Sequence, residues 1–206
     1  MVAPSNQQTI QRKYPCYIPI RSVEHPNLAC NINGSPASGM HAKIAAGDTI
    51  DAHWDRNKTI SELYRDPATH RWQHAHGPLT AYMAACNGPC DKVDVNDGAK
   101  RWFKIADTPL PKGKLASDPL AWEQTNLCDG LPWTVTIPKR LKPGFYLIRH
   151  EVIAIHIVPT QFYPECAQLE VTGDGKDLPA ASDLVAFPGA YDPAGGYFLN
   201  IWLDIS

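Results

Sequence analysis

The chain has no cluster of Lys or Arg, and its 206 residues carry a formal net charge of only -2. That balance argues against nucleic acid or a membrane surface as partner. No apolar run approaches the roughly 20 residues that a membrane span needs. There is no internal repeat and no low-complexity linker. No Gly-x-Ser-x-Gly elbow and no phosphate-binding glycine loop occur, which removes the usual serine-hydrolase and nucleotide signatures. The front of the chain, Met1-Val2-Ala3-Pro4-Ser5, has neither a basic nor an apolar export region, so it does not read as a secretion signal.

Proline is abundant instead: 19 residues, roughly twice the usual share of about 5%. The prolines are spread along the chain, as suits a loop-rich β protein. A chain of this length buries a core of its own, and we expect one β-sandwich domain over 1–206, with 1–38 and 56–71 atypical. Thr9 to Glu24 is polar and irregular, and Arg56 to Arg71 is highly charged with a helix-like stretch.

The strand signals are short runs bounded by Pro and Gly. Ala42–Ile44 and Asp48–Trp54 flank Gly47-Asp48 and predict a hairpin or strand pair. Trp133–Ile137 alternates with period two and stops at Pro138. Phe145–Val158 is apolar on both faces, as a strand inside a sandwich should be. Gln168–Thr172 and Tyr197–Trp202 predict two more strands, while His76–Ala85 reads equally as strand or short helix. The fold class expected is all-β: an immunoglobulin/fibronectin-like antiparallel β-sandwich with long loops.

The six cysteines are an even count, and no second Cys or His pair follows Cys86-x3-Cys90 at zinc-finger spacing. Disulfides and an oxidising compartment are the better reading. Asn57-Lys58-Thr59 is a glycosylation sequon at Asn57, in keeping with a secreted, extracellular protein.

Two segments offer chemistry. His74 and His76 lie two apart, so an extended backbone aims both imidazoles to one side, where they could share a metal; two solvated imidazoles on a surface loop is the bland alternative. Gly77-Pro78 fixes the loop that presents His76. His156 closes the long strand, and Gln161 and Tyr163, also two apart, face one side of the next element. Copper(II) suits such nitrogen and oxygen donors, whereas a buried tyrosine is by default packing with a hydrogen-bonded hydroxyl. Glu123, Glu151, Glu165 and Glu170 are candidates for paired hydrolytic carboxylates, although Glu151 is better read as the same-face partner of Arg149.

Several runs occur in order along the chain. They are His41-Ala42-Lys43-Ile44-Ala45-Ala46-Gly47-Asp48, His76-Gly77-Pro78 with Tyr82, Cys86-Asn87-Gly88-Pro89-Cys90, Tyr146–His156, and Gln161-Phe162-Tyr163-Pro164-Glu165-Cys166. On these the chain, from about Gly39 to Trp202, resembles the lytic polysaccharide monooxygenases of auxiliary activity family 9, formerly glycoside hydrolase family 61. The resemblance implies one copper ion as cofactor and oxidative cleavage of β-1,4-linked glucan (cellulose) at C1 or C4. It further implies dioxygen or hydrogen peroxide as co-substrate, an external electron donor, and a monomer. By position, His76 corresponds to a copper-ligating histidine and Tyr163 to the axial tyrosine. His156 and Gln161 correspond to the pair that steers the bound oxygen species, so His156, Gln161 and Tyr163 are the expected catalytic set. The resemblance also implies disulfides Cys30–Cys166 and Cys86–Cys90, and leaves Cys16 and Cys128 without a placed partner. The family's copper brace starts from an N-terminal histidine where this chain has Met1, so the first strand and an intact copper site are expected to be missing. The alternative is a non-catalytic polysaccharide- or metal-binding relative that has lost the brace. His156 and Gln161 are closer together than is usual, and Trp202 stands where the family usually has tyrosine.

Overall fold

Strands form where β-branched, aromatic and other apolar residues run between Pro- and Gly-rich turns. The computed structural model describes residues 9–12, 18–32, 34, 39–54 and 71–194. Among these, seven strands appear: β1 (Ala42–Ala45), β2 (Thr49–Ala52), β3 (Leu79–Ala85), β4 (Trp102–Asp107), β5 (Trp133–Thr136), β6 (Gly144–Ala154) and β7 (Gln161–Thr172). One helical turn, α1 (Thr125–Cys128), and short 3-10 turns are the helical content of the described residues. No helix among them is long and apolar enough to cross a membrane.

The larger sheet has the order β1-β7-β6-β3-β4, and β2 pairs with β5 in a second, two-stranded sheet. Alternation along β6 explains why both its faces are apolar. Tyr146, Ile148 and Val152 point toward the small sheet, where they join Trp133, Val135 and Ile137 in the inter-sheet core. Leu147 and Ile153 point the other way, under a cover made by Ile20, Leu28, Phe187 and Tyr191. Both faces of the large sheet are thus buried, one by a sheet and one by loops.

Three expectations are refined. Ala42–Ala45 and Thr49–Ala52 do not form a hairpin, because they belong to different sheets. β1 runs parallel to β7 (Ala42 opposite Leu169) and β2 runs antiparallel to β5 (Thr49 opposite Thr136). The turn between them crosses the sandwich at Gly47, whose φ of +95° favours glycine. His76–Ala85 resolves as the strand β3, and Gln161 and Gln168–Thr172 belong to a single strand, β7. The expected strand Tyr197–Trp202, the 56–70 stretch, Cys16 and the Asn57 sequon lie outside the described residues.

The early, irregular segment is drawn onto β7. Gln11 bridges Ala167 and Ile20 bridges Phe162, both antiparallel. Together with β1 they pair with β7 at Phe162 and from Cys166 to Thr172, which covers those stretches of an otherwise open template for strand addition. Both disulfides implied by the resemblance are present: Cys30–Cys166 fastens the early segment to β7, and Cys86–Cys90 closes a local turn. Cys128 is the one free cysteine among the described residues.

Candidate functional site

The antiparallel register decides where the chemistry gathers. Leu79 at the start of β3 lies opposite Val152, and Ala154 at the end of β6 lies opposite Gln161 at the start of β7. The loop before β3, the turn between β6 and β7, and the segment leading into α1 therefore meet at one end of the sandwich. That brings His74, His76, His156, Gln161 and Tyr163 together across up to 89 residues of sequence.

Tyr163 is 2% exposed and His74 is 5% exposed. His74 Nε2 lies 2.9 Å from the Tyr163 hydroxyl, and His74 Nδ1 lies 3.3 Å from His156 Nε2. Trp72 packs edge-on against both, 4.9 Å from the Tyr163 ring and 5.3 Å from the His74 ring. His76 turns outward instead: its Nε2 meets the Ser117 carbonyl at 3.3 Å, and its ring lies 5.1 Å from that of His156. The structure therefore sets His74, rather than His76, against Tyr163.

The histidine loop is held by its backbone. Gly77 has φ +138°, and a Cβ there would lie 1.8 Å from the Ile153 carbonyl oxygen. Only glycine allows this approach, after which Ile155 donates to the His76 carbonyl and Ile153 to that of Pro78. The α1 segment grips the other side. Gln124 donates to the Ile153 carbonyl at 3.2 Å, Thr125 to the Ala75 carbonyl at 3.4 Å, and the Cys128 thiol to the His74 carbonyl at 3.4 Å.

Gln161 completes the site. Its amide orientation follows from its partners: Oε1 accepts from Arg21 Nη2 at 2.8 Å and Nη1 at 2.9 Å, and the NH2 group donates to Tyr163 Oη at 2.6 Å. With Gln161 donating to Oη, the phenol hydrogen goes to His74 Nε2. His74 then carries its proton on Nδ1 and donates it to His156 Nε2. Burial pushes the pKa of His156 down; the His76 backbone carbonyl pulls it up, and the nearby His76 imidazole pushes it down further. A neutral His156 is the acceptor this order needs.

The description Auxiliary Activity family 9 (formerly GH61) matches residues 2–205. The chain belongs to auxiliary activity family 9. The family relatives include an AA9 family lytic polysaccharide monooxygenase-like protein, CEL1, from Agaricus bisporus, 37% identical over 205 residues. That match covers 97% of this chain and 58% of the relative, so the chain spans little more than half of that protein's length. AA9 family lytic polysaccharide monooxygenase B of Heterobasidion irregulare is 38% identical over 192 residues, covering 91% of this chain and 71% of the relative. Among solved structures, the cellulose-active polysaccharide monooxygenase from M. thermophila superposes with a TM-score of 0.77 at 36% identity, over 93% of this chain and 79% of that one. HiLPMO9B gives a TM-score of 0.80 at 37% identity, over 95% and 80%. These AA9 structures share the sandwich fold, and by resemblance the chain is of the lytic polysaccharide monooxygenase class.

Other candidate residues take different roles. Glu151 is fully buried in an ion pair with Arg149 (2.6 Å) and accepts from Thr80 and Tyr191, so it is not placed as a hydrolytic carboxylate. Glu170 faces Lys43 at 3.8 Å. Sequence reasoning missed Trp72 and Arg21. Nothing local marks either, because each meets Tyr163 or Gln161 only through long-range packing.

Proposed function

We propose that this AA9 chain serves the oxidative cleavage of β-1,4-linked glucan with one copper ion as cofactor. The observation that carries the reading is the convergence of His74 Nε2 and Tyr163 Oη, 2.9 Å apart, with His156 and Gln161 behind them. An imidazole nitrogen and a phenol oxygen suit copper. His74 and Tyr163 would hold the ion. When bound, copper supplies the one-electron chemistry that activates dioxygen or hydrogen peroxide, with electrons from an external donor. His74 offers Nε2 because its proton sits on Nδ1, held by His156. Gln161 orients the phenol, and Trp72 keeps water from the inner side of both rings.

The outer rim suits a solid carbohydrate. Val158, in the β6–β7 turn, is 95% exposed, and Leu120, beside Ser117, is 82% exposed. Such aliphatic groups at the imidazole end favour the apolar CH faces of a glucan chain. The disulfides agree with a secreted, extracellular location.

The second reading, a non-catalytic polysaccharide- or metal-binding relative, predicts a different outcome. Copper titration of the full chain by calorimetry, followed by mass spectrometry of products from cellulose, separates the two. The catalytic reading expects copper binding that weakens at least about tenfold in His74→Ala and in Tyr163→Phe, and oxidised oligosaccharides. Cellulose binding with neither copper affinity nor oxidised product would establish the second reading.

A further inference from the structure

The early segment does more than cover β7. Ile20 donates to the Phe162 carbonyl at 2.9 Å and accepts from the Phe162 N–H at 2.8 Å. A reciprocal antiparallel pair of this kind sets residue 21 directly across from residue 161, with both side chains on one face. Arg21 and Gln161 are therefore cross-strand neighbours by register. The register itself is anchored, since Ile20 is 1% exposed in the core and the Cys30–Cys166 disulfide ties the segment to β7. Arg149 adds two further ties through the Leu28 and Ala29 carbonyls.

A primary amide has two orientations that exchange donor and acceptor at each end. If the Gln161 amide were reversed, its NH2 would face the Arg21 guanidinium, donor against donor. Its carbonyl would then face the Tyr163 hydroxyl, taking the phenol hydrogen away from His74. With both Arg21 Nη atoms on Oε1, that orientation is disfavoured. Two hydrogen bonds from a charged donor are enough to bias the two orientations by about tenfold or more.

We propose that Arg21 is a positioning residue: acting through the Gln161 amide, it keeps the Tyr163 hydroxyl hydrogen on His74 Nε2. It deepens the metal-site reading and takes its importance from it, but the coupling belongs to the protein without metal. Arg21 is exposed, so replacing it removes no core side chain.

The test is nitrogen-15 NMR on the metal-free full chain at fixed pH. In Arg21→Ala the Gln161 side-chain amide should exchange with solvent about tenfold faster. The His74 Nε2 resonance should shift as its proton donor is released. Arg21→Lys should reverse part of both effects, because an ammonium can bond Oε1 but cannot set two converging N–H groups on it in the fixed guanidinium geometry. In a Gln161→Leu background, Arg21→Ala should leave the His74 resonance unmoved. Unchanged amide exchange and an unchanged His74 resonance in Arg21→Ala would overturn the proposal, as would an equal His74 shift in the Gln161→Leu background. A separate copper titration of the native chain keeps the two questions apart: failure to bind copper would refute the copper reading and leave the Arg21 result standing.

Discussion

Arg149 and Glu151 sit on the loop-covered face of β6, both with no side-chain exposure. A charge pair in such a place is tolerated only with its hydrogen bonds complete. Arg149 donates to both Glu151 oxygens, at 3.0 and 2.6 Å, and to the Ala29 and Leu28 carbonyls at 2.8 and 2.9 Å. Its guanidinium also stacks 3.8 Å from the Phe187 ring centre. Burial works to lower the Arg149 pKa, and the Glu151 carboxylate overrides it, so the guanidinium stays charged. Glu151→Gln leaves that charge uncompensated and should cost about 3–5 kcal/mol in urea unfolding, with an unchanged m-value. A loss under 1 kcal/mol would show that the pair does not hold the loops. The i, i+2 spacing made this pairing legible in the sequence. Its complete burial was not, since the cover comes from residues 28–29 and 187–191.

At the scale of elements, the early segment and β7 are joined by a disulfide that closes a span of 136 residues, whereas Cys86–Cys90 closes a span of 4. Loop-closure entropy predicts unequal losses. Cys30→Ser with Cys166→Ser should cost about 5 kcal/mol, and Cys86→Ser with Cys90→Ser about 2 kcal/mol. Chemical denaturation of the two double variants checks this, and equal losses would contradict the entropic account. Most strands of the sandwich were readable one by one from alternation and from Pro and Gly punctuation, but β3 stood between strand and helix and β4 was not expected. Their grouping was not: the Ala42–Ala52 region looks like a hairpin locally, yet β1 finds its partner in β7, more than a hundred residues away. No local rule selects a parallel partner at that distance.

At the scale of the whole molecule, His150 is the ionisable group whose burial stability must bear. It lies on the inner face of β6, 7% exposed, with Trp54 and Trp133 rings set edge-on at 6.2 and 5.8 Å. Burial lowers its pKa from 6.5 to about 4. The folded value is depressed, so the stability is present above pH 6.5 and lost as pH falls toward 4, because the unfolded chain takes up a proton first. The loss over that window is on the order of 3 kcal/mol. Glu165, directly across from His150 in the register, has its pKa raised to about 7 by burial and acts with the opposite sign. The His150 contribution is therefore measured as a difference. Urea midpoints at pH 7 and pH 5 should fall further for the native chain than for His150→Phe, and equal falls would remove His150 as the cause.

The sequence by itself determined the all-β class and, through family resemblance, the disulfide pairs. Alternation, turn residues and spaced cysteines are local signals, and physics acts on them locally. Tertiary structure alone decided which imidazole meets Tyr163 and what orients Gln161. At two-residue spacing His74 and His76 are equivalent on paper. The close backbone approach at Gly77 and the contacts from Ser117 to Cys128 turn His76 outward and His74 inward. Arg21 reaches Gln161 only because Ile20 and Phe162 pair across the sheet. Such choices depend on register and packing between distant segments, which carry no signature in any one of them.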